Sequence, residues 1–316
     1  VTWKQNGIRH DTKHNRVRLS KGANHKEHPK AWEYILVEYE VRDDVDVENL
    51  QQVRAVYDSA NDRWELHLIC THEIETPEPP GAETAGIDLG ICNFAAVAYS
   101  TDEDDLYPGN RLKQDGYYFP KEIATCDDAG SNRASRLHHT WSERRTHFFH
   151  SLAKHIVERC VQQGVGRITI GDLEGVREDD DTGEAKNWGR HGNLDLHGWA
   201  FDRFTRILTY KAKVEGIEVT AVDERDTSKT CCVCGRTDDS QRVERGLYVC
   251  TDCGTAGNAD VIGAENIRTE ETASNSKSAS DMGGDRSTGW LAQPAVYLYD
   301  LSNGFRPRDQ VVDCKP

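Results

Sequence analysis

The sequence is short of positive charge and of long apolar runs. Its 39 lysine and arginine residues face 54 aspartate and glutamate residues, which gives a formal net charge of −15. This balance lacks the basic character that nucleic-acid-binding proteins usually show, so any such binding would have to come from a local cluster. No signal peptide or transmembrane run is visible, which argues against a secreted or membrane-spanning chain and predicts a reducing, cytoplasmic environment without a membrane partner.

The excess acid is concentrated in aspartate clusters that fall in predicted loops. These clusters are Asp43-Asp44, Asp104-Asp105 and Asp179-Asp180-Asp181. A negative, strongly hydrated surface is what a protein soluble in a high-salt cytoplasm would show. High salt also weakens phosphate contacts, so geometry and stacking would have to carry more of any affinity for nucleic acid.

One segment reverses the overall charge. A helix is predicted from about Asn132 to Gln163, and between Asn132 and Cys160 six basic side chains stand against two acidic ones. The basic residues are Arg133, Arg136, Arg144, Arg145, Lys154 and Arg159. Most charge runs are solvated helix faces, but the contrast with the acidic remainder makes a phosphate-facing helix an equally good interpretation.

Hydrophobic periodicity predicts an α/β protein whose first 80 residues are rich in β-strands. The segments Val53–Tyr57 and Trp64–Cys70 form a predicted hairpin, and the proline-rich stretch 77–81 resembles a linker. Apolar strands then follow around Asp88 and at Ile168–Ile170. The predicted helices cover about residues 132–163, 199–215 and 260–267.

Two cysteine pairs carry the strongest local signal. Cys231 and Cys234 form one CxxC pair and Cys250 and Cys253 the other, with fifteen residues between the pairs and a glycine after each. This is the spacing of a four-cysteine zinc site. A redox dithiol or a disulfide is the alternative, but two matched pairs in a reducing compartment favour zinc. Four thiolates would close the coordination shell, so the predicted role of the ion is structural.

Three carboxylates fall at or near the ends of predicted elements. Asp88 lies within an apolar strand, Glu174 lies just beyond a second strand, and Asp260 opens a helix. Taken singly, each has a simpler explanation: Asp88 could serve a turn, Glu174 could be a surface residue, and Asp260 could be a helix N-cap. Together, in the order strand-Asp, strand-Glu, helix-Asp, they are a fairly specific pattern for an RNase H-like fold whose carboxylates share two Mg²⁺ ions.

The combination of motifs resembles the TnpB/OrfB family of transposon-associated, RNA-guided DNA endonucleases, also called transposase OrfB. The similarity runs from about residue 50 to residue 270, and the acidic composition is similar to that of haloarchaeal members. The matching segments are 86–91 (around Asp88), 171–177 (around Glu174), 224–231, the two cysteine pairs, and 258–267 (around Asp260).

This resemblance implies an α/β fold with a RuvC-like, RNase H-like core, an inserted four-cysteine zinc ribbon and a preceding partial β-barrel, or wedge, domain. The implied boundaries are 1–80 for the wedge-like domain, 81–229 for the first part of the core, 230–256 for the ribbon, 257–270 for the last core helix, and 271–316 for a largely flexible tail.

The resemblance also implies site residues, cofactors and partners. The partners would be a DNA target and a guide RNA transcribed from the transposon end. Asp88, Glu174 and Asp260 would be the catalytic carboxylates and would hold Mg²⁺ or Mn²⁺. Cys231, Cys234, Cys250 and Cys253 would hold structural Zn²⁺. Nucleic acid would lie beside Arg133, Arg136, Arg144 and Arg145.

The sequence departs from the family in two places. Ala259 and Ile262 stand where family members have arginine and asparagine, and only 87 residues precede Asp88, so the chain is expected to be truncated at its start. Two other interpretations stay open. One is a truncated, catalytically impaired nucleic-acid-binding zinc-ribbon protein, and the other is a conventional transposase that transfers DNA strands with the same acidic residues.

Overall fold

The computed structural model describes residues 1–21, 34–41, 45, 47–73, 75–126, 128, 130–172, 201–224, 226–244, 246–275 and 293–310. The chain divides into two compact units. The first comprises residues 1–75 with 125–139, and the second comprises residues 76–124 with 140–316. The second unit contains every predicted carboxylate and cysteine ligand.

The first unit is built from short antiparallel strands, as its alternating sequence predicts. The strands are β1 (Thr2–Lys4), β2 (Ile8–Asp11), β3 (Arg16–Ser20), β4 (Tyr34–Glu38), β5 (Leu50–Asp58) and β6 (Arg63–Cys70). They form two three-stranded sheets, in the orders β1-β5-β6 and β2-β3-β4. The predicted hairpin is confirmed as β5–β6. Its turn is closed by Asp58, whose carboxylate accepts a hydrogen bond from the Ala60 amide at 3.0 Å.

The second unit is organised around a seven-stranded sheet. Its strands are β7 (Glu83–Leu89), β8 (Asn93–Tyr99), β9 (Asp104–Pro108), β10 (Val165–Asp172), β11 (Glu218–Asp223), and, after the small sheet described below, β15 (Ala295–Asp300) and β16 (Gly304–Pro307). The spatial order is β11-β10-β7-β8-β9-β15-β16. β7, β8 and β9 form an antiparallel meander, whereas β10 runs parallel to β7 and β11 parallel to β10. A separate small sheet contains β12 (Arg242–Glu244), β13 (Leu247–Val249) and β14 (Ala256–Asn258).

In the described parts of the chain, four α-helices accompany these sheets: α1 (Asn110–Ala124), α2 (Asn132–Gln162), α3 (Phe201–Val214) and α4 (Ala259–Asn275). The ring of Phe94 on β8 joins α2 and α3 to the sheet. Its centroid lies 5.2 to 5.6 Å from those of Phe148, Phe149, Phe201 and Phe204. Aromatic rings at such separations bury large apolar areas, so this cluster fixes both helices on one face of the sheet.

The opposite face of the sheet is covered by α4. Because side chains alternate along a strand, Ala85 and Ile87 of β7 enter the large core while Gly86 and Asp88 face α4. The helix approaches so closely that a Cβ on Gly86 would lie 2.0 Å from the carbonyl oxygen of Ala264. This close approach brings the N-terminal turn of α4 to Asp88.

The prediction that Asp104 and Asp105 lie in a loop is wrong. Both residues are buried in β9. Asp105 accepts hydrogen bonds from the Tyr99 hydroxyl at 2.9 Å and from Arg159 Nε at 3.0 Å. Burial raises the pKa of Asp105, and its contacts with Arg159 oppose that rise. A buried carboxylate that has an ion-pair partner is tolerated, and that partner is far away in sequence.

The segment 271–316, predicted to be a largely flexible tail, contributes two strands to the large sheet. β15 pairs in parallel with β9, and β16 pairs with β15. The Tyr297 and Phe305 rings lie 5.5 and 5.4 Å from the Tyr107 ring. Residues 276–292 of this segment lie outside the described residues.

Candidate active site and metal centre

Asp88 lies near the C-terminal end of β7, on the face covered by α4. A glycine of that helix makes room for it, because a Cβ on Gly263 would lie 2.8 Å from Asp88 Oδ2. Burial raises the pKa of Asp88 well above its ordinary value, the negative charges of Asp260 and Glu224 raise it further, and Arg242 opposes them. A carboxyl group in this environment favours the neutral form unless a cation compensates its charge.

Asp260 lies in the first turn of α4, directed back towards the sheet. Its Oδ2 accepts a hydrogen bond from Asn93 Nδ2 at 2.9 Å, and its Oδ1 accepts one from Arg242 Nη2 at 3.2 Å. The N-cap is Asn258, whose Oδ1 accepts from the amides of Asp260 and Val261 at 3.0 and 3.3 Å. The simpler explanation of Asp260 as the N-cap therefore fails, because Asn258 caps the helix.

The third predicted carboxylate, Glu174, lies outside the described residues, since the description of β10 ends at Asp172. A different glutamate occupies the site. Glu224 directly follows β11, and its charge acts on Asp88. Burial, reinforced by the charges of Asp172 and Asp223, raises the pKa of Glu224 to about 7. The sequence held a signal for it, because Glu224 opens the segment 224–231 that matches the TnpB/OrfB family.

The carboxylates form a looser group than the cysteines. Among the described residues, only the four cysteines bring three or more ligand atoms within 4.8 Å of one another. Asp260 and Glu224 are each close enough to Asp88 to act on it electrostatically. Carboxylate oxygens are the ligands that Mg²⁺ and Mn²⁺ prefer, and a spread-out set suits two ions about 4 Å apart.

The four predicted cysteines do come together. The Sγ atoms of Cys231 and Cys253 lie 3.5 Å apart, and those of Cys234 and Cys250 lie 3.6 Å apart. Tetrahedral thiolates at about 2.3 Å from one ion would be about 3.8 Å from one another, so the four sulfur atoms fit a shared metal ion. None of the four forms a disulfide.

Each cysteine pair lies in a turn that its glycine allows. Gly235 and Gly254 have φ angles of 73° and 76°, which residues with a Cβ rarely adopt. Their amides donate to the carbonyl oxygens of Cys231 and Cys250 at 2.9 and 3.1 Å. Burial opposes ionisation of Cys253, but hydrogen bonds from Thr255 outweigh it and lower the pKa to about 6. The thiolate is the form that binds metal.

The predicted basic face of α2 is only partly available. Arg133 and Arg136 are exposed, and Arg136 Nε donates to the Ala60 carbonyl at 3.2 Å. Arg144 Nη1 instead forms an ion pair with Asp115 at 3.2 Å. Burial, and then the positive charge of Arg203, lowers the pKa of Arg145. Part of the positive charge of α2, carried by Arg136 and Arg144, is therefore engaged in contacts within the protein.

Helix α3 adds positive charge that the sequence analysis did not single out. Arg203 Nη2 donates to Thr146 Oγ1 of α2 at 2.9 Å. Burial, followed by the charges of Lys211 and Arg203, lowers the pKa of His150. The positive surface of this unit is thus shared between two helices, which periodicity within a single helix cannot reveal.

Comparison with known proteins supports the family assignment in two adjoining parts of the chain. A family model described as a probable transposase, OrfB_IS605, matches residues 67–177. A second model, described as the Cas12f1-like TNB domain, matches residues 201–267. The first match contains Asp88 and Glu174, and the second contains Glu224, all four cysteines and Asp260.

Curated relatives match over the same region. The CRISPR-associated endodeoxyribonuclease Cas12f1 of Sulfoacidibacillus thermotolerans is 24% identical over 228 residues, which cover 67% of this chain and 51% of that protein. The TnpB-like protein ORF457 of Acidianus two-tailed virus is 28% identical over 209 residues, covering 61% and 43%. The chain thus spans about half the length of these relatives. A cryo-EM structure of a Cas12f1–sgRNA–target DNA complex aligns with a TM-score of 0.48 at 19% identity, covering 70% of this chain and 56% of that one.

The second unit is therefore a mixed α/β domain that carries clustered carboxylates on one face of its sheet and a four-cysteine cluster able to hold a metal ion. The sequence is similar to the OrfB_IS605 transposase family over residues 67–177 and to the Cas12f1-like TNB domain over residues 201–267. Within the described ranges, no helix is both long and apolar enough to cross a membrane.

Proposed function

We propose that the chain is the nuclease part of a metal-dependent, RNA-guided DNA endonuclease encoded by a transposon. The observation that carries this proposal is the meeting of Asp88 from β7 with Asp260 from α4 in a half-buried setting, where the positive charge of Arg242 acts on both. Such a pair of charges is costly to bury, and a site for divalent cations accounts for it.

The strand order supports a RuvC-type, RNase H-like core. An antiparallel meander of three strands, with two more strands added in parallel beside the first, is the arrangement expected of that fold. The small sheet β12-β13-β14 and the cysteine cluster would be the zinc ribbon, and the strands of the first unit would be the partial wedge domain.

The chemistry assigned to the carboxylates follows from their positions. Asp88 and Asp260 would hold Mg²⁺ or Mn²⁺, with Glu174 as the predicted further ligand. When bound, two such ions activate water and stabilise the leaving oxygen of a phosphodiester. Asn93 and Arg242 fix the orientation of the Asp260 carboxylate through their hydrogen bonds, which keeps its oxygen atoms directed into the site.

The cysteine cluster is proposed to hold one structural Zn²⁺. Four sulfur ligands leave no open position for water or substrate, so the ion would act on the fold. It would hold the segment from which Arg242 reaches Asp260, and it would thereby support the active site at a distance.

The proposed partners are a guide RNA and a DNA target, because the relatives include a CRISPR-associated endodeoxyribonuclease and a putative RNA-guided DNA endonuclease, InsQ of Escherichia coli. In guided nucleases, base pairing identifies the sequence while the protein contacts the backbone. Arg133, Arg136, Arg144 and Arg145 are the proposed contacts, and the exposed Arg133 and Arg136 should contribute most.

The test is guided cleavage of a labelled DNA with Mg²⁺, comparing the wild type with Asp88→Asn and with the exposed control Asp202→Asn. Asp88→Asn should reduce cleavage by about a thousandfold or more while DNA binding persists, because phosphate contacts are separate from the metal site. Cleavage that survives Asp88→Asn would refute the proposal. Joining of DNA ends in place of cutting would favour strand transfer.

A further inference from the structure

The strand beside Asp88 has no side chain at the position nearest the site. β10 runs parallel to β7 with Ile170 opposite Ile87, so Gly171 and Asp88 are the next residues on the two strands. Neighbouring positions of a parallel sheet project from the same face, which here is the face covered by α4. A Cβ on Gly171 would lie 3.0 Å from Ile267 Cδ1 of that helix.

A carboxylate from another strand fills this space. A Cβ on Gly171 would lie 2.6 Å from Glu224 Oε2. β11 pairs with β10 so that Val222 lies opposite Gly171. Glu224 therefore follows just beyond the end of β11, and its side chain lies over β10. The carboxylate of Glu224 thus occupies the space that a side chain at position 171 would fill.

One oxygen of this carboxylate has no hydrogen-bond partner among the residues that the structure describes. Glu224 Oε2 is buried and accepts no hydrogen bond from the described residues. Arg242, whose charge acts on Asp88, donates to Asp260. An unpaired buried acceptor costs free energy, and a bound cation would compensate both this atom and the neighbouring carboxylates.

We propose that Glu224 is a ligand of the catalytic cations and supplies from β11 the carboxylate that β10 cannot supply from Gly171. The proposal rests on the proposed function, since it adds a ligand to the same site. Asp88 from β7, Glu224 from β11 and Asp260 from α4 would then surround the ions with oxygen ligands, which suit Mg²⁺ and Mn²⁺. Glu174 is the competing candidate for this role.

The experiment measures Mn²⁺ binding to the purified, zinc-loaded chain by the electron paramagnetic resonance signal of free Mn²⁺. Glu224→Gln keeps the shape of the side chain and removes its charge, and Glu174→Gln is the matched comparison. Glu224→Gln should weaken Mn²⁺ binding by at least about tenfold, whereas the exposed control Asp202→Asn should change it by less than about twofold. Unchanged binding in Glu224→Gln would overturn the proposal.

A second variant tests the geometry and does not depend on the first. In a Glu224→Ala background, Gly171→Glu places a carboxylate on the neighbouring strand, aimed into the emptied space. This double variant should regain most of the Mn²⁺ affinity that Glu224→Ala loses. Failure to regain affinity in a folded, zinc-containing protein would count against the shared position.

Asp88→Asn separates the two proposals. If Asp88→Asn leaves Mn²⁺ binding intact, the proposed function itself fails. If Asp88→Asn and Glu174→Gln both weaken binding and Glu224→Gln does not, the proposed function stands and the role of Glu224 is refuted. Zinc content and thermal unfolding, measured for every variant, show that the fold is preserved.

Discussion

The cysteine cluster and the carboxylate group are assembled in opposite ways. All four sulfur ligands come from residues 231–253, and their turns are set by local glycines. The carboxylates come from β7, from the end of β11 and from α4, which are brought together only when α4 packs against the sheet. One centre is therefore encoded by spacing within a short segment, and the other by the tertiary fold.

This difference has a consequence for stability. A locally encoded cluster would depend on a bound metal ion, because a short segment buries little apolar surface by itself. A centre assembled by the fold depends on the packing that carries its ligands, and its charges oppose folding until a cation binds. Perturbing the metal should damage the first centre most, and perturbing the helix–sheet contact should damage the second.

The largest expected effect is on the local centre. Cys250→Ser should remove the bound zinc and unfold the segment 230–258, because structural zinc contributes on the order of 10–16 kcal/mol to such modules. Elemental analysis and amide hydrogen exchange measure both effects. Cys92→Ser, which changes an exposed cysteine outside the cluster, should retain zinc. A Cys250→Ser protein with full zinc content would contradict the assignment.

A substitution at the contact between α4 and β7 should have the next largest effect on stability. Gly86→Ala places a Cβ 2.0 Å from the Ala264 carbonyl oxygen, and should lower the free energy of unfolding by about 3 kcal/mol because the backbone of α4 must shift. Mn²⁺ binding should weaken with it, while zinc is retained. Gly116→Ala, in a helix with open space around it, should be neutral or slightly stabilising. Equal unfolding midpoints in urea for the two variants would show that the contact is not tight.

The packing of β15 and β16 on the sheet should contribute less to stability at low pH. Burial, and then the charge of Arg159, lowers the pKa of His155 from 6.5 to about 4. Its ring packs on Tyr297, and its Nδ1 is hydrogen-bonded to the Tyr107 hydroxyl at 3.0 Å. Because the folded state binds this proton less well than the unfolded state, the stability contribution is full above pH 6.5 and is lost as the pH falls towards 4.

The loss should be on the order of 1–2 kcal/mol after allowance for partial exposure. Between pH 7.5 and pH 4.5, the unfolding temperature should therefore fall more steeply for the wild type than for His155→Gln. His138→Gln, an exposed histidine variant of α2, should follow the wild type. Identical slopes for the wild type and His155→Gln would refute the packing described for β15.

The smallest effect concerns the start of α4. Asn258→Ala removes the acceptor for two amides of the first turn and should cost about 1 kcal/mol, the usual value of an N-cap. Asn258→Ser keeps a capping oxygen and should recover most of that loss in the same thermal unfolding measurement. If alanine and serine behave alike, the cap does not position Asp260.

The sequence predicted the parts that depend on local spacing. The four cysteines, helix α2 and the β5–β6 hairpin follow from periodicity and turn residues, and Asp88 and Asp260 were predicted from strand and helix ends. The role of Glu224 was missed, because its nearness to Asp88 depends on the β10–β11 register. The burial of Asp105 was missed because its partner Arg159 is distant in sequence.

The central claim is that Asp88 and Asp260 hold the same cations. A double-mutant cycle on Mn²⁺ affinity, with Asp88→Asn, Asp260→Asn and their combination, tests it most directly. Substitutions of two groups that bind the same cation have strongly non-additive effects on affinity. The combined variant should therefore bind Mn²⁺ little worse than either single variant. Losses that simply add, or binding that either single variant leaves unchanged, would contradict a shared metal site.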